Sequence, residues 1–273
     1  MLNKAYLVLE TGKIFEGYSF GADKDVIGEV VFTTGMTGYL ETLTDKSYYG
    51  QIVMHTYPLI GNYGVIPEDF EGDRISAYGC IVKDICTDPS NFRSRGDLGT
   101  FLKERGIPGL CGIDTRELTK TLREQGTMNG LITRDPKKAD LDEIRAYLVK
   151  KAVESVSVAE KTTVNSEGIY TIVLLDFGYK ESIVKELAKR NCRVVIMPHD
   201  ATVKDILDQK PDGIMLSNGP GDPADNPGII SNLKRLVSSG IPIFGICLGH
   251  QLLALAHGFE TRKLKYGHRG TNH

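Results

Sequence analysis

The chain has 273 residues, 41% of them hydrophobic and 25% charged, and a formal net charge of −2. That is enough chain for two ordinary domains, and so even a charge, without a long basic run, gives no basis for nucleic-acid binding. The N-terminus, MLNKAYLVLETG, turns polar too soon for a signal peptide, and no run approaches the roughly 20 apolar residues of a membrane span, so the expectation is a cytoplasmic protein with no membrane contact.

In chain order, the first half reads as short strands separated by turns. AYLVLE, the Thr11-Gly12 turn and KIFEGYSF alternate as a hairpin should. GEVVFTT, QIVMHTYPL and YGCIVKDI are further predicted strands. A helix is predicted at IDTRELTKTLREQG, capped by Asp114 or Thr115, completed by Glu117 and ended by Gly126 in the left-handed conformation. DLDEIRAYLVKKAVESV reads as a second helix, and the polar stretch over 159–169 as a linker between a β-rich domain (1–158) and a second domain (170–273).

Past the linker the rhythm changes. Apolar strands at TIVLLDF, CRVVIMP, DGIMLS and IPIFGI alternate with helices at KESIVKELAKRN, TVKDILDQ and GIISNLKRLVSSG. That alternation predicts an α/β domain with a flavodoxin-like parallel sheet, whose ligands bind beyond the carboxyl ends of the strands. Two turns fall at such ends, SNGPGDP (217–223) and GICLGHQ (245–251).

The five cysteines are Cys80, Cys86, Cys111, Cys192 and Cys247, an odd number without a C-x-x-C pair, which argues against disulfides. The six histidines do not join them at zinc spacing, so no metal site is expected. Four cysteines read as small buried hydrophobes. Cys247 differs, because Gly245-Ile246-Cys247-Leu248-Gly249 has the form of a nucleophile elbow with cysteine in place of serine. Such a turn lifts the nucleophile above the sheet on strained backbone, and the glycines must be small because strand and helix pack closely. The free N–H groups of the following helix favour a thiolate, and the Leu248 N–H can serve an oxyanion. Taken alone, the motif fits a buried cysteine in a βα turn equally well. The rigid loop with backbone exposed at Gly219 and Gly221 adds a second donor surface at a neighbouring strand end, and the pair points to acyl transfer or amide hydrolysis.

GICLGHQLLALA and SNGPGDP together resemble the class I glutamine amidotransferases. FTTGMTGYLETLTDKSYYGQIVMHTYPLIGNYG (32–64), SNFRS (90–94) and IDTRELTKTLREQGTMNG (113–130) resemble the N-terminal domain of carbamoyl phosphate synthetase small subunits. The resemblance implies a glutaminase subunit that forms a cysteine thioester with L-glutamine and supplies ammonia to a large subunit. That partner would bind ATP and magnesium, the present chain carrying no cofactor, and the product would feed pyrimidine and arginine synthesis. The absence of G-x-x-x-x-G-K-[ST] accords with nucleotide chemistry in another chain. Residue by residue, it implies Cys247 as nucleophile and Ser47, Gly219, Gly221, Leu248 and Gln251 as glutamine-binding. Ser47, by its residue context alone, reads as an exposed turn.

His250 and His257 read as structural, and His273 as a frayed terminal residue. The family's triad histidine and glutamate come in H-P-E, which does not occur here, so the expectation is a chain cut off inside its catalytic domain, with the face of IPIFGI partly uncovered. A catalytically inactive truncated form that keeps glutamine and large-subunit binding is the alternative. An unrelated cysteine hydrolase on a similar sheet is a third reading, disfavoured by the N-terminal resemblance.

Overall fold

In a computed structural model that describes residues 3–267, the alternation of AYLVL puts Ala5, Leu7 and Leu9 on the core face of β1 (Lys4–Leu9). β1 pairs antiparallel with β2 (Ile14–Gly21), as the hairpin reading predicts. In chain order follow β3 (Val26–Thr33), helix α1 (Tyr39–Thr44), β4 (Gln51–His55), β5 (Leu59–Ile60), β6 (Gly79–Ile81) and β7 (Asp84–Ile85). Then come α2 (Leu98–Glu104), β8 (Pro108–Cys111), α3 (Thr115–Gln125), β9 (Met128–Thr133) and α4 (Leu141–Ala146). All belong to a first compact unit made of residues 3–44, 50–149 and 264–267.

Seven of these strands close into a barrel in the order β1-β2-β8-β6-β4-β3-β9, with β9 returning to β1. The pairs β3–β4, β4–β6 and β6–β8 are parallel, so this half is more than a run of hairpins. QIVMHTYPL and YGCIVKDI are each split, their second pieces β5 and β7 forming a separate two-stranded sheet. Inside the barrel, Leu7, Ile52, Met54, Ile81 and Leu110 share one core with Leu118 and Leu122, one turn apart on α3.

Asp114 caps α3 by accepting the Glu117 N–H at 2.8 Å. The helix ends at Gly126, but at φ 101° and ψ 174° rather than in the left-handed helical conformation predicted. There the chain runs straight into β9, and the Thr127 N–H donates to the Lys265 carbonyl at 3.0 Å.

The single helix predicted over 140–156 is a correction. α4 stops at Ala146, Tyr147 is extended at φ −62° and ψ 128°, and Lys151 is left-handed at φ 50° before α5 (Ala152–Val156) begins. The cause is tertiary. The Tyr147 hydroxyl donates to the Gly50 carbonyl at 2.8 Å, and its own carbonyl accepts from Asn129 Nδ2 at 3.0 Å. Those bonds replace the helical ladder, as local propensity is routinely overridden by packing.

The second unit takes Asp45–Tyr49 and Lys150–Lys263. After α5 it runs β10 (Thr162–Val164), β11 (Tyr170–Asp176), α6 (Glu181–Lys189), β12 (Cys192–Pro198), α7 (Val203–Leu207), β13 (Gly213–Leu216), α8 (Pro227–Val237), β14 (Ile243–Gly245) and α9 (Leu248–Ala256). The stretch predicted as a linker thus contains β10, which pairs antiparallel with β12. The strand order is β10-β12-β11-β13-β14, parallel from β12 to β14, as the alternating pattern predicts. Both faces are covered, as parallel sheets require. Val173, Leu175 and Ile214 pack with Leu233 of α8 and Leu252 of α9, while Leu174, Val194 and Ile196 pack with Val184 of α6. Phe244 on β14 is 64% exposed, in keeping with the reading of IPIFGI. The reading of His273 lies outside the described residues.

His55, ending β4, is 2% exposed, and its Nε2 has no hydrogen-bond partner among the described residues. Burial pushes its pKa down to about 4. The folded imidazole therefore stays neutral where the unfolded one protonates, so between its ordinary value and about pH 4 the unfolded state binds the extra proton. Stability falls as pH falls through that window. Urea unfolding from pH 7 to pH 4 should cost the parent chain about 3 kcal/mol more than a His55→Leu variant; parallel pH profiles for the two proteins would contradict this.

Candidate active site

Between β14 and α9 the chain makes the turn that the G-x-C-x-G spacing predicts. Cys247 caps the nine-residue helix α9 with φ 51° and ψ −109°, backbone that costs a non-glycine residue about 1–3 kcal/mol and persists only where its surroundings enforce it. The enforcement is visible in the flanking glycines. A Cβ on Gly249 would lie 2.4 Å from the Leu216 carbonyl oxygen, and one on Gly245 would lie 2.6 Å from the His250 nitrogen. With no side chains there, the Gly249 N–H donates to the Ser217 carbonyl at 3.1 Å and to the Ile246 carbonyl at 2.9 Å. The elbow is thereby tied to the end of the neighbouring strand β13.

The loop SNGPGDP leaves β13 at that point. A Cβ on Gly219 would lie 2.1 Å from the Phe177 carbonyl oxygen and 2.9 Å from Leu248 Cδ2. Gly219 is therefore seated between the end of β11 and the start of α9. Gly221 has φ +86°, open to glycine and strained for other residues. The structure thus gathers Gly219, Gly221, Cys247 and Leu248 at the carboxyl ends of the adjacent strands β13 and β14, where open α/β sheets bind ligands. Leu248 opens α9, so its N–H has no intrahelical acceptor. Gln251 lies one turn on, exposed, with its N–H donating to the Cys247 carbonyl at 3.1 Å. His250 and His257 are both exposed, on the helix and at its C-cap.

Ser47 comes from far earlier in the chain, yet Asp45–Tyr49 belongs to this second unit. The segment makes a 3-10 turn over Lys46–Tyr48, with Asp45 accepting the Ser47 N–H at 2.8 Å. Ser47 is half-buried rather than an exposed turn residue, because its Oγ accepts from Asn218 Nδ2 at 2.9 Å. Asp45 is buried and paired with Lys180 Nζ at 2.9 Å. Sequence reasoning missed Asp45, Asn218 and Lys180. The one available signal was that Asn218 sits inside the rigid loop, and nothing in the spacing ties that loop to TDKS.

The thiols differ in setting. Cys247 is exposed, Cys80, Cys111 and Cys192 are buried, and Cys86 is intermediate. Burial pushes the Cys80 thiol up to about 12 and raises that of Cys111. Among the described residues no group of three or more His, Cys, Asp or Glu side chains could hold a metal ion, and no helix is long and apolar enough to cross a membrane.

Comparison with known proteins gives two family matches. Residues 7–132 match the family described as "Carbamoyl-phosphate synthase small chain, CPSase domain", and residues 173–273 match "Glutamine amidotransferase class-I". The carbamoyl phosphate synthase small chain of Listeria innocua serovar 6a is 49% identical over 277 aligned positions, covering 100% of this chain and 75% of that protein. The small chain of Bacillus caldolyticus is 50% identical, covering 99% of this chain and 74% of that protein. Among solved structures, an aminopeptidase from Aneurinibacillus sp. strain AM-1 aligns at 13% identity, over 95% of this chain and 72% of that one, with a TM-score of 0.30, a likeness too slight to inform fold or chemistry.

Exposure and elbow geometry lead to one expectation for thiol chemistry. In the native chain near neutral pH, iodoacetamide should alkylate Cys247 before any other cysteine. Peptide mapping that finds Cys80, Cys86, Cys111 or Cys192 labelled first would remove the basis for an activated Cys247.

Proposed function

The chain belongs to the carbamoyl phosphate synthase small-chain family, and on that premise we propose that it is a glutaminase subunit, using Cys247 to hydrolyse L-glutamine and passing the ammonia to a large ATP-dependent subunit. The observation that carries the reading is the elbow itself. A cysteine held at φ 51° on the first turn of a helix, with glycine enforced at Gly249 by the Leu216 carbonyl, is costly backbone, and such cost is characteristic of functional sites.

The chemistry follows from the groups present. Cys247 Sγ attacks the side-chain carboxamide carbon of glutamine, forming an S–C bond while the carbonyl electrons move onto oxygen. The resulting oxyanion lies within the province of the Leu248 N–H and the Gly219–Gly221 loop, donors fixed in place before reaction. The C–N bond then breaks, the nitrogen gains a proton and leaves as ammonia, and a glutamyl thioester remains. Water hydrolyses that thioester to glutamate and restores the thiol. Ser47 and Gln251 hold the amino-acid end of the substrate. The proton relay of the resemblance lies in an H-P-E motif that this sequence does not contain, so no residue is assigned as base.

ATP and magnesium belong, on this reading, to the large subunit, and the product is carbamoyl phosphate. Among its described residues the barrel unit carries no comparable constellation, and it is proposed as the main docking surface for that partner. A diazoketone analogue of glutamine tests the active-site assignment without requiring full turnover. It should alkylate Cys247 alone, with loss of dinitrogen, and L-glutamine should protect in proportion to its occupancy. Labelling that glutamine does not slow, or that persists in a Cys247→Ser variant, would sink the assignment.

A further inference from the structure

Ser217 has no part in the chemistry above, yet every polar atom it carries is used. The residue is 0% exposed. Its N–H donates to the Leu175 carbonyl at 3.2 Å, and its carbonyl accepts the Gly249 N–H at 3.1 Å. Its Oγ lies 2.9 Å from the Phe177 nitrogen and 2.7 Å from the Asn218 carbonyl oxygen. A backbone N–H can only donate and a carbonyl can only accept, so the sense of both side-chain bonds is fixed. The hydroxyl accepts from Phe177 and gives its one proton to the Asn218 carbonyl.

That bond sets the plane of the next peptide. No cis peptide occurs among the described residues, and in a trans peptide the carbonyl and the N–H point in opposite directions. With the Asn218 carbonyl drawn back onto Ser217, the Gly219 N–H is turned away from it. Gly219 is buried, yet its N–H donates to nothing among the described residues. Buried N–H groups without a partner are rare, and this one asks for an acceptor that the chain does not supply. It stands against the start of α9, where a Cβ on Gly219 would lie 2.9 Å from Leu248 Cδ2. The Leu248 N–H, also without an intrahelical acceptor, follows Cys247 directly.

We propose that Ser217 is a positioning residue for the oxyanion: by donating to the Asn218 carbonyl it holds the Gly219 N–H toward the substrate atom on which negative charge develops. This rests on the glutamine reading above and deepens it, since it singles out one donor of the loop and names the side chain that fixes it. A peptide free to rotate would have to reorient as the charge forms. One pinned from behind is already in place, and its help is spent on the charged state rather than on the resting amide.

The test measures calorimetric binding of L-glutamine and of its side-chain nitrile, L-2-amino-4-cyanobutanoate, to the whole chain. The Cys247 thiolate adds to the nitrile carbon, an S–C bond forming as one C–N π bond breaks, and the nitrogen takes a proton from water to give a thioimidate. That nitrogen lies where the oxyanion would, and the addition needs no leaving group. Ser217→Ala should weaken the nitrile relative to glutamine by roughly tenfold or more. A merely structural role for Ser217 would weaken both ligands equally and leave the ratio unchanged, which overturns the proposal. If thermal unfolding shows that Ser217→Ala does not fold, Ser217→Cys decides, a thiol being a weak donor: an unchanged ratio there also overturns it. Native chain that binds glutamine but forms no thioimidate overturns the present inference, because no fixed donor then serves the developing charge. Native chain that binds neither ligand removes the glutamine reading and this one with it.

Discussion

The site depends on one close approach, that of Gly249 at the start of α9 to the Leu216 carbonyl at the end of β13. The space there excludes even a Cβ, which would lie 2.4 Å from that oxygen. Because helix and strand meet so tightly, the connecting residue cannot relax to ordinary backbone, and Cys247 is left at φ 51° with its side chain exposed. The strain is offset elsewhere, by burial of Leu248 and Leu252 in the same core as Leu175, Ile214 and Leu233. Core packing on one face of the sheet thus sets the geometry of a thiol at its edge.

A second constraint acts through the loop after β13. Gly219 fits because Phe177 and Leu248 leave no room for a side chain, and Asn218 is locked by acceptors and donors of fixed sense. Strand ends, loop and helix start are therefore one rigid assembly rather than three adjustable parts. Rigid donors cost no reorganisation when charge develops, which is what acyl-transfer chemistry asks of a site. Asp45–Tyr49 joins this assembly from the first fifth of the chain, bringing a buried carboxylate and its lysine partner with it.

Much of this was legible in the residues. The elbow announced itself because Gly245, Cys247 and Gly249 sit between an apolar strand and an apolar helix, where a pair of glycines signals backbone packed too closely for side chains. The parallel sheet followed from strands and helices alternating at a regular spacing, and β12 falls on the predicted CRVVIMP. What could not be read was whatever depends on partners distant in sequence. DLDEIRAYLVKKAVESV has sound helical periodicity, yet Tyr147 bonds to Gly50 and Asn129 and the helix breaks. The barrel's parallel pairs join strands separated by long connections, which no local pattern records. Asn218 and Ser47 meet across 171 positions. Their contact is invisible to spacing, and the resemblance assigns Ser47 without saying what holds it.

The central claim is that Cys247 Sγ forms a covalent bond to the glutamyl carbon. The most direct measurement is mass spectrometry of the native chain quenched in acid while exposed to L-glutamine. The account predicts a glutamyl adduct confined to the peptide containing Cys247. Ammonia release that continues undiminished in a Cys247→Ser variant, with no adduct on that peptide in the parent chain, would contradict it.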